Sequence, residues 1–199
     1  LATDRLKAGL ACFLLSLLPC FVERTLAASP SPFNAEYEAK YGGFKASAER
    51  SLLFSGNGQI EMTTSLKLKL LGKTLSSITE QSILDSDPQN NQFRPVDYSF
   101  TQTGIGKRRR QINFDWEAGT ALYNDAKNEI ETPLQVGLAD NLSSYLEVSM
   151  QLQAGKQDIF FPVIDKGNIE HLHFKVLGEE LISTRSGNYR TIKIEKIRG

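Results

Sequence analysis

The sequence predicts a mainly β protein, built as a strongly curved antiparallel sheet or incomplete β-barrel with one amphipathic helix. Three observations support this fold class. Apolar and polar residues alternate along most of the chain beyond residue 33, glycine-containing turns separate these stretches, and one stretch shows helical spacing instead. The composition, 40% hydrophobic and 23% charged with 23 basic and 23 acidic residues, excludes a disordered chain and a strongly basic nucleic-acid binder.

The first three strands show the clearest alternation. In the first, Ala35, Tyr37, Ala39 and Tyr41 share one face, and the glycine pair at 42–43 predicts a tight turn into a second strand ending near residue 54. From residue 60 to 70, isoleucine, methionine and leucines occupy one face, and charged or hydroxylated residues the other. This pattern indicates a sheet with one face on a core and one in water.

Further strands follow with the same period. They are predicted at 74–84, 93–103, 107–116, 157–164, 168–176, 179–183 and 188–198, with 120–124 as a shorter candidate. Between residues 140 and 153, Leu142, Tyr145, Leu146, Ser149 and Leu152 recur at helical spacing behind an Asp140 or Asn141 cap. A sheet of about ten strands in a meander, with one apolar face, must curl on itself, pack against a second sheet or be covered by the helix.

Residues 1–28 are predicted to be a secretory signal peptide, which leaves 29–199 as a single exported β domain in the periplasm. Arg5 and Lys7 precede an uncharged run from 8 to 22, and small residues end the segment at 27–28. A membrane-spanning helix is the alternative, but the run is shorter than the roughly 20 residues a bilayer requires. No transmembrane segment is expected after cleavage, and Cys12 and Cys20 would be removed with the peptide, so no disulfide or thiol nucleophile is expected.

The sequence contains no pattern typical of a catalytic site. Glycine-flanked serine, Ser-x-x-Lys and phosphate-binding glycine motifs are absent from it. Its two histidines, His171 and His173, are weak metal candidates, since alternation places both on one strand face but no other histidine accompanies them. We therefore expect no cofactor and no catalytic residue, with a hydrolase kept as the less favoured alternative.

Residues 107–116 provide the most informative candidate site. Alternation places Arg108 and Arg110 on the same strand face as Ile112, Phe114 and Trp116. If that face is concave, the guanidinium groups lie at its end, where they can pair with a phosphate or carboxylate while the interior accepts a hydrocarbon chain. The alternative is that the arginines extend from a strand end and Trp116 belongs to the core.

Several segments, taken in order, resemble the bacterial family of domain of unknown function 3108. They are residues 33–39, 95–98, 108–116, 155–163 and 174–193, so the resemblance spans roughly residues 33–198. It implies an exported, mostly β protein of Gram-negative bacteria, and it brings neither an activity nor catalytic residues.

We predict from these observations a non-catalytic binding or carrier module for a lipid or acylated ligand, with Arg108, Arg110 and Trp116 as ligand-binding residues. The alternative is an interaction module of the cell envelope that offers a sheet edge or convex face to another protein. No nucleic-acid partner is expected.

Overall fold

The fold was analysed in a computed structural model that describes residues 30–56, 58–87, 92–184 and 186–197. These residues form twelve strands and one helix. The elements are β1 (Phe33–Tyr41), β2 (Phe44–Phe54), β3 (Ile60–Leu70), β4 (Lys73–Asp87), β5 (Gln92–Gly104), β6 (Arg108–Asp115), β7 (Thr120–Asp125), β8 (Glu129–Pro133), β9 (Ala139–Asp140), α1 (Ser144–Gln153), β10 (Asp158–Asp165), β11 (Asn168–Thr184) and β12 (Gly187–Lys196). The predicted signal peptide lies outside the described residues.

The first eight strands form one antiparallel meander. Each strand pairs with the next along the chain, so β1 and β8 are the two edges of the sheet. The residues in β3 show why the sheet has two faces: Ile60 and Met62 are almost fully buried, whereas Lys67 is exposed. The face of the sheet that carries the buried core, on which α1 and β9 lie, is called the concave face below. The predicted fold class is confirmed.

A second sheet of four strands, in the order β12-β11-β10-β9, lies beside the meander. Its β9 strand pairs in parallel with β10, at Ala139 opposite Val163. Helix α1 lies between the two sheets and packs on both. Leu142, just before the helix, and Leu146 join the core of the meander, whereas Val148 and Leu152 pack against the apolar face of β10.

Asp140 fixes the start of the helix. Its buried carboxylate accepts hydrogen bonds from the backbone N–H groups of Leu142 and Ser143 at 2.7 and 2.8 Å, and from the Ser82 hydroxyl of β4 at 2.6 Å. The helix therefore begins at Ser144, four residues later than the predicted start at residue 140, since Asp140 itself belongs to β9. This carboxylate joins the helix start to the middle of the large sheet.

Three further differences from the predicted elements have local causes. Strands β8 and β9 were not predicted, since β8 has a single large aliphatic residue, Ile130, and β9 has only two residues. The two strands predicted at 168–176 and 179–183 are one continuous strand, β11, with a register shift between Val176 and Gly178. Gly178 has a φ of 136°, a conformation that glycine adopts readily.

None of the helices in the described part of the chain is both long and apolar enough to span a bilayer.

Candidate ligand-binding site

One row of paired residues crosses the concave face of the large sheet. Arg50 of β2 lies opposite Thr64 of β3, Thr64 opposite Glu80 of β4, Glu80 opposite Phe100 of β5, and Phe100 opposite Arg110 of β6. Directly paired residues project from the same face of a sheet. We call this set the polar row, and it brings together side chains from five strands.

The polar row divides the concave face into a covered part and an open part. On one side, Leu52, Met62, Ser82, Tyr98 and Ile112 are each 2% exposed or less, and α1 and β9 cover them. The other side of the row carries Tyr37, Ala48, Leu66, Leu68 and Ile78, which we call the open trough. Its leucines are half-buried and Tyr37 is 58% exposed, so the described chain leaves an apolar concave surface in contact with solvent.

Arg50 lies where the two parts meet. Its Nε donates a hydrogen bond to the Thr64 hydroxyl at 3.1 Å, and its guanidinium stacks on the Tyr145 ring of α1, 4.1 Å from the ring centroid. Within the described ranges, no carboxylate lies within ion-pair distance of this guanidinium, and its two terminal nitrogens have no hydrogen-bond acceptor. Arg50 is thus oriented by two contacts that leave two donor groups for an anion.

An apolar groove extends from Arg50 along the covered side, between α1 and the first three strands. Its volume is about 420 Å³. The lining residues come from the chain just before β1 and its start, from β2 and β3, and from the helix. The apolar ones include Phe33, Leu52, Met62, Tyr145 and Leu146. Since Phe33 is 41% and Tyr145 56% exposed, the groove opens to solvent at its edge. A groove of this size and lining suits a hydrocarbon chain.

Glu80, the acidic residue of the polar row, accepts a hydrogen bond from a buried tyrosine. Tyr98 donates a hydrogen bond from its hydroxyl to Oε1 of Glu80 at 2.5 Å. Burial, together with the nearby Glu80 carboxylate, raises the pKa of Tyr98 above its usual range. The Tyr98 hydroxyl therefore stays protonated and keeps donating to Glu80. Glu80 lies two strands from Arg50 and two strands from Arg110, so it does not favour either end of the row.

The structure places Arg108 and Arg110 side by side over the ring of Phe100. Their guanidinium carbons lie 5.3 and 5.4 Å from the ring centroid. Arg108 Nε donates to the Gln102 side chain at 2.9 Å, and Arg110 lies 3.9 Å from a carboxylate oxygen of Asp165. Arg110 thus already has an acidic neighbour, whereas Arg50 has none among the described residues.

Trp116 is not brought together with these arginines. It follows the opposite end of β6, six residues from Arg110, which corresponds to about 20 Å along a strand. Its indole N–H donates to the Pro95 carbonyl at 2.7 Å, and Arg94 lies over its ring at 5.6 Å. Trp116 and Arg94 border a separate cleft of about 540 Å³, to which Asp85, Glu117 and Glu131 also contribute. An anionic headgroup held by Arg108 and Arg110 would therefore not contact Trp116.

The two histidines lie on the outer face of the second sheet. The His171 ring stacks on Phe160, with centroids 5.1 Å apart, and His173 is hydrogen-bonded to the Asp158 carboxylate. No group of three or more histidine, cysteine, aspartate or glutamate side chains converges as metal ligands within the described residues.

Sequence reasoning did not identify Arg50 and Tyr145 as candidate site residues. The alternation of β2 already placed Arg50 on the apolar face with Ala48 and Leu52, and an arginine on an otherwise apolar face was the available signal. Its contact with Tyr145 joins residues 95 positions apart in the chain, which alternation along a single strand does not reveal.

The fold and the site define a β-barrel-like protein whose concave face is only partly covered by a helix. A solved structure of this kind, described as the crystal structure of a β-barrel-like protein of domain of unknown function DUF1849 from Brucella abortus, is similar to it with a TM-score of 0.50. The two chains are 12% identical, and the similarity covers 84% of this chain and 80% of the other. At that identity, the likeness concerns the fold alone.

The model of the family described as "Protein of unknown function (DUF3108)" matches residues 36–199. The chain belongs to this family, as the resemblance in the sequence indicated. No curated protein matches the sequence.

Proposed function

We propose that this protein is a non-catalytic binding or carrier module for a lipid or acylated ligand with an anionic group. The proposal rests on the position of Arg50, at the junction of the apolar groove and the open trough. The two terminal nitrogens of its guanidinium have no hydrogen-bond acceptor among the described residues. Arg50 binds the anionic group of the ligand, and the groove beside Leu52, Met62 and Tyr145 takes its hydrocarbon chain. We also propose that the protein acts in the periplasm, after removal of residues 1–28.

Arg50 therefore takes the role that the sequence assigned to Arg108 and Arg110. The physical reason is that a charged donor binds an anion most strongly when no carboxylate of the protein competes for it. Asp165 lies beside Arg110, and Gln102 is the hydrogen-bond partner of Arg108. These two arginines contribute to the positive potential of the concave face but are not the primary anion contact.

The test is a binding titration with a fluorescent long-chain fatty acid, using the chain from residue 29 onward, freed of bound lipid by solvent extraction. A hydrogen bond to a charged group contributes about 1.5–3 kcal/mol, so Arg50→Gln is expected to weaken binding by roughly 10- to 150-fold. Arg190→Gln, on an exposed arginine of β12 far from the groove, is the matched control and is expected to bind like the wild type.

The outcomes separate the site assignment from the function. If Arg108→Gln with Arg110→Gln abolishes binding while Arg50→Gln does not, the assignment to Arg50 is wrong. If the wild-type chain, freed of lipid, takes up no fatty acid at all, the lipid-binding function itself is wrong. Fractionation of cells that express the full chain tests the periplasmic location, and a cytoplasmic pool of uncleaved chain would contradict it.

A second candidate function, self-association through the second sheet, is supported by the far end of the β11–β12 hairpin. This two-stranded ribbon carries exposed Leu181, Ile182, Tyr189 and Ile192, each at least 42% exposed. Such ribbons are marginally stable in water, and β12 is the edge of its sheet. Antiparallel pairing with the β12 strand of a second copy, about Ile194, can place Lys193 opposite Glu195 twice, which makes the two edges complementary in charge.

A charge-swap series tests this self-association. Sedimentation velocity over a wide concentration range should show a dimer for the wild type, a monomer for Glu195→Lys, and a restored dimer for Glu195→Lys combined with Lys193→Glu. A monomeric wild type, or a double variant that stays monomeric, would exclude the second candidate.

A further inference from the structure

Three neighbouring hairpin tips lie at the same end of the large sheet. They are the turns from β1 to β2, from β3 to β4 and from β5 to β6, and in a meander alternate turns lie at one end. One hydrogen bond joins the first two tips, from the Leu71 N–H to the Gly43 carbonyl at 3.3 Å, and another joins the third tip to β4, from the Ile105 N–H to the Leu75 carbonyl at 2.9 Å. We call residues 40–45, 69–73 and 104–109 together the hairpin rim.

Each tip of the hairpin rim exposes large apolar side chains. Tyr41 is 88% exposed, Leu71 84% and Ile105 69%, and Phe44 adds a fourth at 43%. Leu71 has a φ of 47°, which is unfavourable for a leucine and would suit asparagine or glycine. Nothing in the packing of the described chain explains why an exposed leucine occupies this position. A cluster of exposed apolar residues on neighbouring turns indicates contact with an apolar phase or partner.

The charges of the hairpin rim have a single sign. Its three segments contain seven basic residues, Lys40, Lys45, Lys69, Lys73, Lys107, Arg108 and Arg109, and no aspartate or glutamate, although the whole chain is neutral. The acid that lies close is Glu38, which pairs with Lys40 at 2.9 Å and with Lys45 at 2.5 Å. The positive charge is therefore concentrated at one end of the molecule, around the exposed apolar tips.

We propose that the hairpin rim is a docking surface for an anionic lipid bilayer. Exposed apolar side chains surrounded by lysine and arginine match the two attractions that such a surface offers, insertion at the headgroup boundary and pairing with lipid phosphates. An acidic protein partner would satisfy the charges, but it would not account for apolar residues at the very tips of three turns. This inference goes beyond the proposed function and does not depend on it.

The position of the hairpin rim relative to the ligand site adds to the argument. The open trough continues along the concave face from Ile78 and Leu66 through Leu68 to Leu70 and Phe44, which are paired residues at the rim. Docking of the rim would thus bring the open end of the trough to the lipid surface. A hydrocarbon chain could then pass between bilayer and trough without crossing water.

Flotation of the protein with lipid vesicles tests the proposal. Vesicles of phosphatidylglycerol and phosphatidylcholine in equal amounts are expected to bind the wild type, and vesicles of phosphatidylcholine alone to bind it much more weakly. Each lysine near an anionic surface contributes about fivefold in affinity, so Lys73→Gln with Lys107→Gln should weaken binding by roughly thirtyfold. Lys156→Gln with Lys196→Gln, an equal loss of charge on exposed residues elsewhere, should leave it unchanged.

The apolar tips are tested separately. Tyr41→Ser with Leu71→Asn removes two exposed side chains, and asparagine tolerates the backbone conformation at residue 71, so the fold is retained. We expect binding to anionic vesicles to fall by at least tenfold. Leu177→Ser with Leu181→Ser, which removes two exposed leucines from β11, is the matched control.

Equal binding of both vesicle types by the wild type, or unchanged binding by the rim variants, would overturn the docking surface. Arg50→Gln separates this proposal from the ligand site, since it should bind vesicles normally while losing the fatty-acid probe. A chain that binds vesicles but no fatty acid would refute the ligand site and leave the docking surface supported.

Discussion

Replacing Asp140 with alanine is expected to destabilise the protein where α1 meets the large sheet. The Asp140 side chain is fully buried, and it accepts hydrogen bonds from two backbone N–H groups and from Ser82. Alanine leaves all three donors in the interior without that acceptor. These donors lie on the segment that starts the helix and on the middle of β4, so the connection between helix and sheet is lost.

The size of the effect follows from those three contacts. Leaving a buried donor unsatisfied costs about 1–3 kcal/mol, and removing the carboxylate recovers part of this because a charged group is no longer kept from water. We expect a net loss of about 2–4 kcal/mol in the free energy of unfolding at neutral pH. For a chain of this size, that loss corresponds to a fall of roughly 5–15 °C in Tm.

Urea denaturation at pH 7, followed by circular dichroism, measures the loss directly. Asp140→Asn is the matched control, because its amide oxygen can still accept the bonds from Leu142 and Ser143. A loss below about 0.5 kcal/mol for the alanine variant, less than a single buried hydrogen bond contributes, would refute the reasoning.

The asparagine variant also tests the pH dependence. Burial raises the pKa of Asp140 above its ordinary value of 3.8. The native state therefore binds this proton more tightly than the unfolded state, so the stability that the residue contributes decreases as pH rises from about 3.8 through the folded-state pKa. Asp140→Asn should remove this decrease, and an unchanged pH profile would contradict the assignment.

Three further variants test other parts of the fold. Gly104→Ala is expected to destabilise more than Gly119→Ala, because both glycines have a positive φ but an added Cβ at 104 would lie 2.2 Å from the Leu75 carbonyl oxygen, whereas nothing lies within 4 Å at 119; equal thermal shifts would disprove the clash. Leu142→Ala, at a fully buried position, should cost about 2–5 kcal/mol in urea denaturation, and a smaller loss would show that the core collapses around the cavity. Trp116→Phe should cost about 1 kcal/mol through the bond to Pro95, with no change in fatty-acid affinity; a weaker affinity would instead place Trp116 in the ligand site.

The strands were predictable because burial on one face imposes period two on the residues themselves. The alternation from Ile60 to Leu70 predicted β3 with its observed bounds, and glycine turns marked its neighbours. Strand β9 escaped prediction because it has two residues and pairs in parallel with β10, which follows later in the chain. The helix start was predicted too early. The Asp140 carboxylate accepts hydrogen bonds from the backbone N–H groups of Leu142 and Ser143, as a cap does, but the backbone of Asp140 belongs to β9.

The fold class, the family and the faces of the strands could be predicted from the residues alone, because these depend on local alternation and on ordered segments of residues. Which arginine has a carboxylate beside it became apparent only from the packing of the folded chain. Arg110 lies by Asp165 and Arg50 by Tyr145, and both neighbours come from elements distant in the chain. The packing of α1 over part of the concave face likewise determines which apolar residues form the core and which remain open to solvent, since periodicity gives the orientation of a side chain but not what covers it.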